Sequence, residues 1–297
     1  MKIVVTGGLG FIGSRFVKLC IEEGHEVKII DKMTYAADLG RLPDNTGYWR
    51  KDICDVTKND IEGYDYIVNF AAETHVDNSI TDGRPFIRSN VEGVFNLLEV
   101  SRQVGIKKFI QISTDEVYGD KLQGESLETD RIIGSSYYSA SKASADLLVL
   151  SARSTYGLPF IITRSCNNYG PKQHPEKFLP KVLKCIKEGK EVPVYGDGEN
   201  IREWIHVDDN VQQIYNLMIS PAKNQIFNIG TKERYTNIEL MEKIADELGT
   251  SVKYKFVEDR LGHDGRYALC SNKINQCHKM TYKTLTDFLK EEVIKLK

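Results

Sequence analysis

The first half of the chain alternates short apolar runs with segments of helical periodicity. Residues 2–6 are an almost unbroken apolar run, the pattern of a strand buried on both faces. Residues 11–23 place apolar side chains at helical spacing and stop at Gly24, a residue suited to the left-handed turn that closes a helix. A second strand is predicted over 26–30 and ends at Asp31. Further runs rich in Ile, Val and Phe lie at 65–70, 107–113 and 159–164, the last after a helix predicted over 138–156. Strands alternating with helices imply βαβ units. They predict an α/β fold with a doubly wound parallel sheet of the Rossmann type.

Beyond about residue 166 the texture changes. Turn clusters such as Asn168-Tyr169-Gly170-Pro171 and Gly196-Asp197-Gly198-Glu199-Asn200 interrupt shorter elements. Helical patterns appear at 176–189, 207–219 and 237–248. In the tail, 284–297, Leu285, Phe288, Leu289, Val293 and Leu296 share one helical face, with Thr284 as its N-cap. The pattern predicts a larger domain over 1–165 and a smaller α+β lobe over 166–297 that shares a few segments with it. A ligand is then expected where the two meet, outside the carboxyl ends of the strands.

Composition narrows the class. The 297 residues carry 40 Lys+Arg against 42 Asp+Glu, with 41% hydrophobic and 28% charged residues. That balance describes a globular chain and excludes collagenous and disordered ones. A net charge of −2 lacks the basic footprint of a nucleic-acid binder. No apolar run approaches the roughly 20 residues needed to cross a bilayer, and Met1 leads directly into a strand with no secretory leader. Six cysteines form no Cys-x-x-Cys pair and no zinc-ligand spacing, so no metal is expected. Free thiols suit a reducing compartment, and the cytoplasm is the expected location.

Three motifs carry chemistry. The first is Thr6-Gly7-Gly8-Leu9-Gly10-Phe11-Ile12-Gly13, with glycines at 7, 10 and 13 between the first strand and the first helix. Glycines there allow a tight turn and close approach of a pyrophosphate, held by the helix N-terminus. Asp31, 18 residues after Gly13, suits a ribose diol and opposes a 2′-phosphate, so NAD is expected over NADP. Lys32 beside it tempers that preference. Asp52 and Ile53 are candidate adenine contacts, and Ala71 and Ala72 lie on the cofactor side of the strand ending near Phe70. Glu73, His75 and Asp77 follow as a cofactor-side or sugar-side loop.

The second motif is Tyr138-Ser139-Ala140-Ser141-Lys142. Among 15 tyrosines, only Tyr138 has Lys four residues on, which places the two on one helix face. An ammonium there is expected to lower the phenol toward working pH, so that it takes a proton from a substrate hydroxyl. The third motif is Ser113-Thr114-Asp115-Glu116-Val117-Tyr118-Gly119 at a strand end. Two adjacent acids are costly there unless used. With Tyr138 and Lys142, an acid and a base beside a hydride acceptor suggest removal of water as well as redox.

Together, the glycine motif, Thr114 and Tyr138/Lys142 resemble the extended short-chain dehydrogenase/reductases, the NAD-dependent epimerase/dehydratase group. The match narrows with Asn69–Asp77, Ser113–Gly119, Cys166–Pro171, Pro175-Glu176-Lys177, Ile201-Arg202-Glu203-Trp204 and Asp259–Tyr267, which are similar to the dTDP-glucose 4,6-dehydratase family over about residues 1–274. The Thr-Asp-Glu triplet is the most discriminating part. The resemblance implies an NAD-dependent hydro-lyase acting on a sugar nucleotide, a homodimer, and roles for named residues. Tyr138 takes the 4-hydroxyl proton, Glu116 takes the C5 proton, Asp115 donates to the leaving C6 hydroxyl, Thr114 binds the 4-oxygen, and Lys142 holds the nicotinamide ribose. Arg202 and Arg266 are candidates for the diphosphate, with Asn168 and Asn237 for diphosphate or base. A UDP-sugar dehydratase, an epimerase or decarboxylase, and a non-catalytic NAD-binding regulator remain the alternatives. The stretch 120–136 and the tail after Ile274 depart from the family pattern.

Overall fold

The computed structural model describes residues 1–294. Its centre is a seven-stranded, all-parallel sheet. The strands from the first half are β1 (Lys2–Thr6), β2 (Glu26–Asp31), β3 (Trp49–Arg50), β4 (Tyr66–Asn69), β5 (Lys108–Thr114) and β6 (Phe160–Ser165). The seventh, Gln225–Ile229, comes from the second half and pairs parallel to β6. Across the sheet the order is Gln225–Ile229, β6, β5, β4, β1, β2, β3. The chain therefore winds outward from β1 to one edge, then returns beside β1 and winds to the other. That reversal between β1 and β4 opens a crevice at their carboxyl ends.

The unbroken apolar runs are explained by two covered faces. Ile3 and Val5 of β1, Ile110 of β5 and Ile161 of β6 pack with Phe16, Val17 and Cys20 of the helix Phe11–Glu22 and with Ile214 and Met218 of the helix Val207–Ile219. The intervening Val4, Phe109 and Ile162 pack on the other face against Val94, Leu97, Ala145 and Val149. Those come from the helices Gly93–Val104 and Tyr137–Tyr156. Each such aliphatic side chain contributes about 1.5–3 kcal/mol on burial, which is what selects this register.

Local signals set the helix ends. Ser136 and Ser139 form a capping box at the start of Tyr137–Tyr156, and Gly157 closes it in the left-handed region at φ 76°. One helical stretch was not anticipated. Between Arg84–Phe86 and Gly93–Val104 the chain makes a π-helical segment, Ile87–Glu92.

The remaining elements build the smaller lobe. Asn167–Tyr169, Ile201–His206 and Arg234–Thr236 form a three-stranded sheet, and Val192–Tyr195 pairs parallel with Tyr254–Val257. The helices Phe178–Glu188, Asn237–Glu247 and Leu285–Ile294 cover a second core around Leu179, Trp204, Leu240, Met241, Leu285, Phe288 and Leu289. Thr284 caps the last helix by accepting from the Asp287 amide at 3.1 Å. The side chains of Val293 and Leu296, expected on the same face, lie outside the described residues. Between the strand ends and this lobe lies a cavity of about 930 Å³.

Candidate active site

At the cavity's deep end, the turn after β1 is forced to be glycine. Gly7 has φ +69°, and a Cβ there would lie 2.6 Å from the Ala71 amide nitrogen. The turn thus presses against Ala71 and Ala72, just past the end of β4. Gly10 is the N-cap of the helix beginning at Phe11, whose first amides have no partner within the helix and favour an anion. Gly7, Gly10, Phe11, Ile12, Gly13, Ala71 and Ala72 all line the cavity.

Asp31 also lines it, and accepts from the amides of Leu9 at 3.0 Å and Met33 at 2.8 Å. Lys32 lines the wall, but its ammonium is engaged by Glu73 at 3.1 Å and by the Ser89 hydroxyl at 2.6 Å. It is therefore neutralised, and does not offset the preference that Asp31 sets. Ile53 reaches the cavity; Asp52 does not. The Asp52 carboxylate instead caps a short turn by accepting from Cys54, and lies 3.6 Å from Arg88.

Two further motifs converge on the same cavity. Thr114, Glu116, Tyr138 and Lys142 all face it. The Thr114 hydroxyl accepts from the Glu116 amide at 3.3 Å and donates to an Asp115 carboxylate oxygen at 3.1 Å. Asp115 itself is 2% exposed, stands behind the wall, and has its other carboxyl oxygen buried without a partner. Burial, then the neighbouring Glu116, push the Asp115 carboxyl well above its ordinary range. Burial raises Glu116 as well, but Arg260, Arg202 and Lys177 pull it back down. Both carboxyls are thus raised, Asp115 the more strongly, because Glu116 has three cations nearby to oppose its desolvation.

The ammonium of Lys142 donates to the Ile112 carbonyl at 2.6 Å. Burial lowers it to about 8. The Tyr138 phenol is pushed up, first by burial and then by the Glu116 charge. This corrects the expectation that Lys142 lowers the phenol. The spacing does put both groups in the cavity, but desolvation and a facing carboxylate outweigh an ammonium turned to a backbone carbonyl.

The outer half carries the cations. Arg202 is 7% exposed, donates to the Asp264 carbonyl at 2.8 Å, and stacks on Tyr267 at 4.3 Å. Arg260 lies 3.6 Å from Asp77 and keeps a buried Nε without a partner. Lys177 donates to the Thr74 carbonyl at 3.2 Å. Asn168 and Asn237 line the same space. Arg266 does not. Its guanidinium is consumed by the carbonyls of Lys121 at 2.8 Å and Gly124 at 2.7 Å. It fastens the 120–136 stretch to the smaller lobe.

Several wall residues were not singled out as site residues from the sequence. Lys177, Arg260, His263 and Tyr267 lie in stretches quoted only for their resemblance, and their clustering depends on long-range folding. Asn90 was missed entirely. Its side chain, 1% exposed, donates to Ser141 at 2.9 Å and exchanges hydrogen bonds with the backbone of Glu73 at 2.9 and 3.0 Å. It ties the loop after β4 to the Tyr138 helix, and the π-helical segment is what aims it inward. His75 and Asp77 line the cavity, whereas Glu73 serves Lys32.

A parallel sheet with a glycine turn at its switch point, facing a Tyr/Lys pair and two acids, defines a dinucleotide-dependent enzyme site. The comparisons agree. Residues 3–230 match the NAD dependent epimerase/dehydratase family. The chain is 44% identical over 282 residues to the low-salt glycan biosynthesis protein Agl12 of Haloferax volcanii, covering 92% of this chain and 91% of that one. It is 40% identical over 288 residues to a dTDP-glucose 4,6-dehydratase of Streptomyces niveus, covering 92% and 86%. The solved structure of DesIV, a dTDP-glucose 4,6-dehydratase from Streptomyces venezuelae with NAD bound, superposes with a TM-score of 0.94 at 38% identity, covering 99% and 96% of the two chains. This chain belongs to the NAD dependent epimerase/dehydratase family.

Proposed function

We propose that this protein is an NAD-dependent dTDP-glucose 4,6-dehydratase that forms dTDP-4-keto-6-deoxyglucose. The observation that carries the reading is the placement of two consecutive acids: Asp115 buried behind the wall with one carboxyl oxygen unpartnered, and Glu116 facing the cavity with Arg260, Arg202 and Lys177 near it. An epimerase needs no such acid and base next to its Tyr/Lys pair.

The glycine turn, Asp31, Ala71, Ala72 and Lys142 fit NAD, which accepts hydride from sugar C4 and later delivers it to C6. Asp31, with Lys32 already paired to Glu73, favours the diol over a 2′-phosphate. Ionised once the positive charge of oxidised NAD offsets its desolvation, Tyr138 takes the 4-hydroxyl proton, and Thr114 holds that oxygen. The 4-ketone acidifies the C5 hydrogen. Glu116 removes it as a proton, Asp115 gives its proton to the C6 hydroxyl, and water leaves. Glu116 returns its proton to C5 as C6 receives hydride, and the 4-hydroxyl proton left on Tyr138 replaces the one that Asp115 gave, so the net change is the loss of one water. Arg202, Arg260 and Lys177 hold the diphosphate, with Asn168 and Asn237 beside it. Charge on the substrate replaces the carbonyl contacts of Arg202 and Lys177 and the Asp77 contact of Arg260.

The working form is a homodimer in the cytoplasm. Exposed Phe95 and Leu147, on the neighbouring helices Gly93–Val104 and Tyr137–Tyr156, support a covered face. Six free cysteines suit a reducing compartment. Among the described residues no helix is long and apolar enough to cross a membrane. The function is tested by incubating the purified protein with dTDP-glucose, UDP-glucose and UDP-N-acetylglucosamine. A 4-keto-6-deoxy product from the dTDP sugar supports it. A 4-epimer, or a 4-keto-6-deoxy product from a UDP sugar alone, overturns it.

A further inference from the structure

The helix Phe178–Glu188 turns its two faces to different surroundings. Leu179 and Val182 are buried in the smaller lobe's core, and Leu183 and Ile186 pack against it. Lys181, Lys184 and Glu188, at spacings of three and four residues, form a separate stripe that lines the cavity. Lys177, four residues before Lys181, continues the stripe toward Thr74. Lys181 is half-buried, and Lys184 is exposed.

Two of these lysines have no partner in the protein. Lys177 is held by the Thr74 carbonyl at 3.2 Å. Glu188, four residues after Lys184, is taken by Lys190 at 2.7 Å. Among the described residues, neither Lys181 nor Lys184 makes a side-chain hydrogen bond or an ion pair. The imbalance extends to the whole cavity. Ten of its lining residues are Lys or Arg and five are Asp or Glu, in a chain of net charge −2. A cleft lined by one sign of charge between low-dielectric walls focuses its field and speeds the arrival of an opposite charge. The diphosphate already has Arg202, Arg260 and Lys177 to seat it. Two more cations with no internal partner add to the field at the entrance.

We propose that Lys181 and Lys184 steer the anionic sugar nucleotide into the cavity. They speed its arrival and do not hold it once it is bound. The inference rests on the reading above that this cavity takes a nucleoside diphosphate sugar, but its test needs no turnover.

The probes are dTDP and UDP, which carry the diphosphate without a sugar to react. Each is mixed with the NAD-loaded protein by stopped flow, and the fluorescence of Trp204 in the cavity wall reports association and dissociation rates. At about 0.01 M salt, charges act over about 30 Å. There Lys181→Glu/Lys184→Glu is expected to slow association about tenfold and to leave dissociation within about twofold. Lys181→Met/Lys184→Met, which only removes charge, is expected to slow association about threefold. Lys181→Arg/Lys184→Arg is expected to keep the wild-type rate. At about 1 M salt the range falls to about 3 Å, and all four proteins are expected to associate alike. A folding defect would not vanish with salt, so that convergence separates steering from damage. Equal association rates at low salt, a deficit that persists at high salt, or a loss carried by dissociation overturns the proposal. Wild-type protein that binds neither nucleotide overturns it together with the sugar-nucleotide reading, whereas binding with unmoved rates overturns the steering alone.

Discussion

Asp115 and Glu116 are consecutive, yet only Glu116 faces the cavity, while Asp115 is buried behind it with one carboxyl oxygen unpartnered. Burial raises both carboxyls, Asp115 the more strongly, which suits Asp115 to give a proton and Glu116 to take one. Asp115→Asn and Glu116→Gln are therefore expected to block water loss, each lowering product formation about 10²–10⁴-fold, while NAD binding persists. Because oxidation at C4 comes first, reduced cofactor should accumulate in both variants with dTDP-glucose. Single-turnover absorbance of the nicotinamide checks this. Unchanged turnover would remove both acids from the mechanism.

Arg260 is the strongest of the cations pulling Glu116 toward its anion. The catalytic base must be ionised, so kcat/KM rises with pH as Glu116 loses its proton. Removing a nearby cation disfavours the carboxylate and raises its pKa. Arg260→Met is thus expected to move the ascending limb to higher pH, by roughly one unit, and to raise KM through the lost diphosphate contact. A pH profile of kcat/KM against wild type decides it. A limb that stays in place would separate Arg260 from Glu116.

Arg202 and Arg266 were equal candidates in the sequence, and the fold separates them. Arg202→Met is expected to raise KM for the sugar nucleotide about 10–100-fold, the value of one or two charge-assisted hydrogen bonds. Arg266→Ala is expected to leave KM within about twofold but lower the melting temperature, because its guanidinium bonds the carbonyls of Lys121 and Gly124 rather than facing the cavity. Steady-state kinetics and thermal unfolding read the two effects separately.

Gly7→Ala tests the cofactor turn. The substitution demands a left-handed backbone from alanine and a Cβ 2.6 Å from the Ala71 amide nitrogen. A cost of about 1–3 kcal/mol in stability is expected, together with loss of bound NAD. Cofactor released from denatured protein, measured per chain, should fall sharply. Full occupancy would mean that the turn tolerates displacement of the strand end at Ala71.

Most of the sheet was legible because its signal is local. Strands buried on both faces produce apolar runs, and residues 2–6 and 207–219 match their elements to the residue. The glycine turn was legible for the same reason, since a Cβ at Gly13 would meet Gly7 within one strand–turn–helix unit, although the approach of Gly7 to Ala71 is not local. What escaped depends on distant partners. Nothing near Arg266 in sequence says that Lys121 and Gly124 will claim it, and nothing near Asn90 announces a π-helical segment. The Tyr138 phenol was misjudged because spacing reports which side chains share a face, not how much water remains around them. The seventh strand, Gln225–Ile229, returns to the main sheet from the smaller lobe, a pairing fixed only by its contact with β6.

The central claim is that one hydride leaves C4 and comes back at C6 on a single enzyme molecule, with water lost between. The most direct measurement uses dTDP-glucose deuterated at C4, with the protein carrying its own NAD and no cofactor added. The expected product is dTDP-4-keto-6-deoxyglucose with the deuterium at C6. Deuterium retained at C4 of an epimerised sugar, or a product that keeps its C6 oxygen, would contradict it.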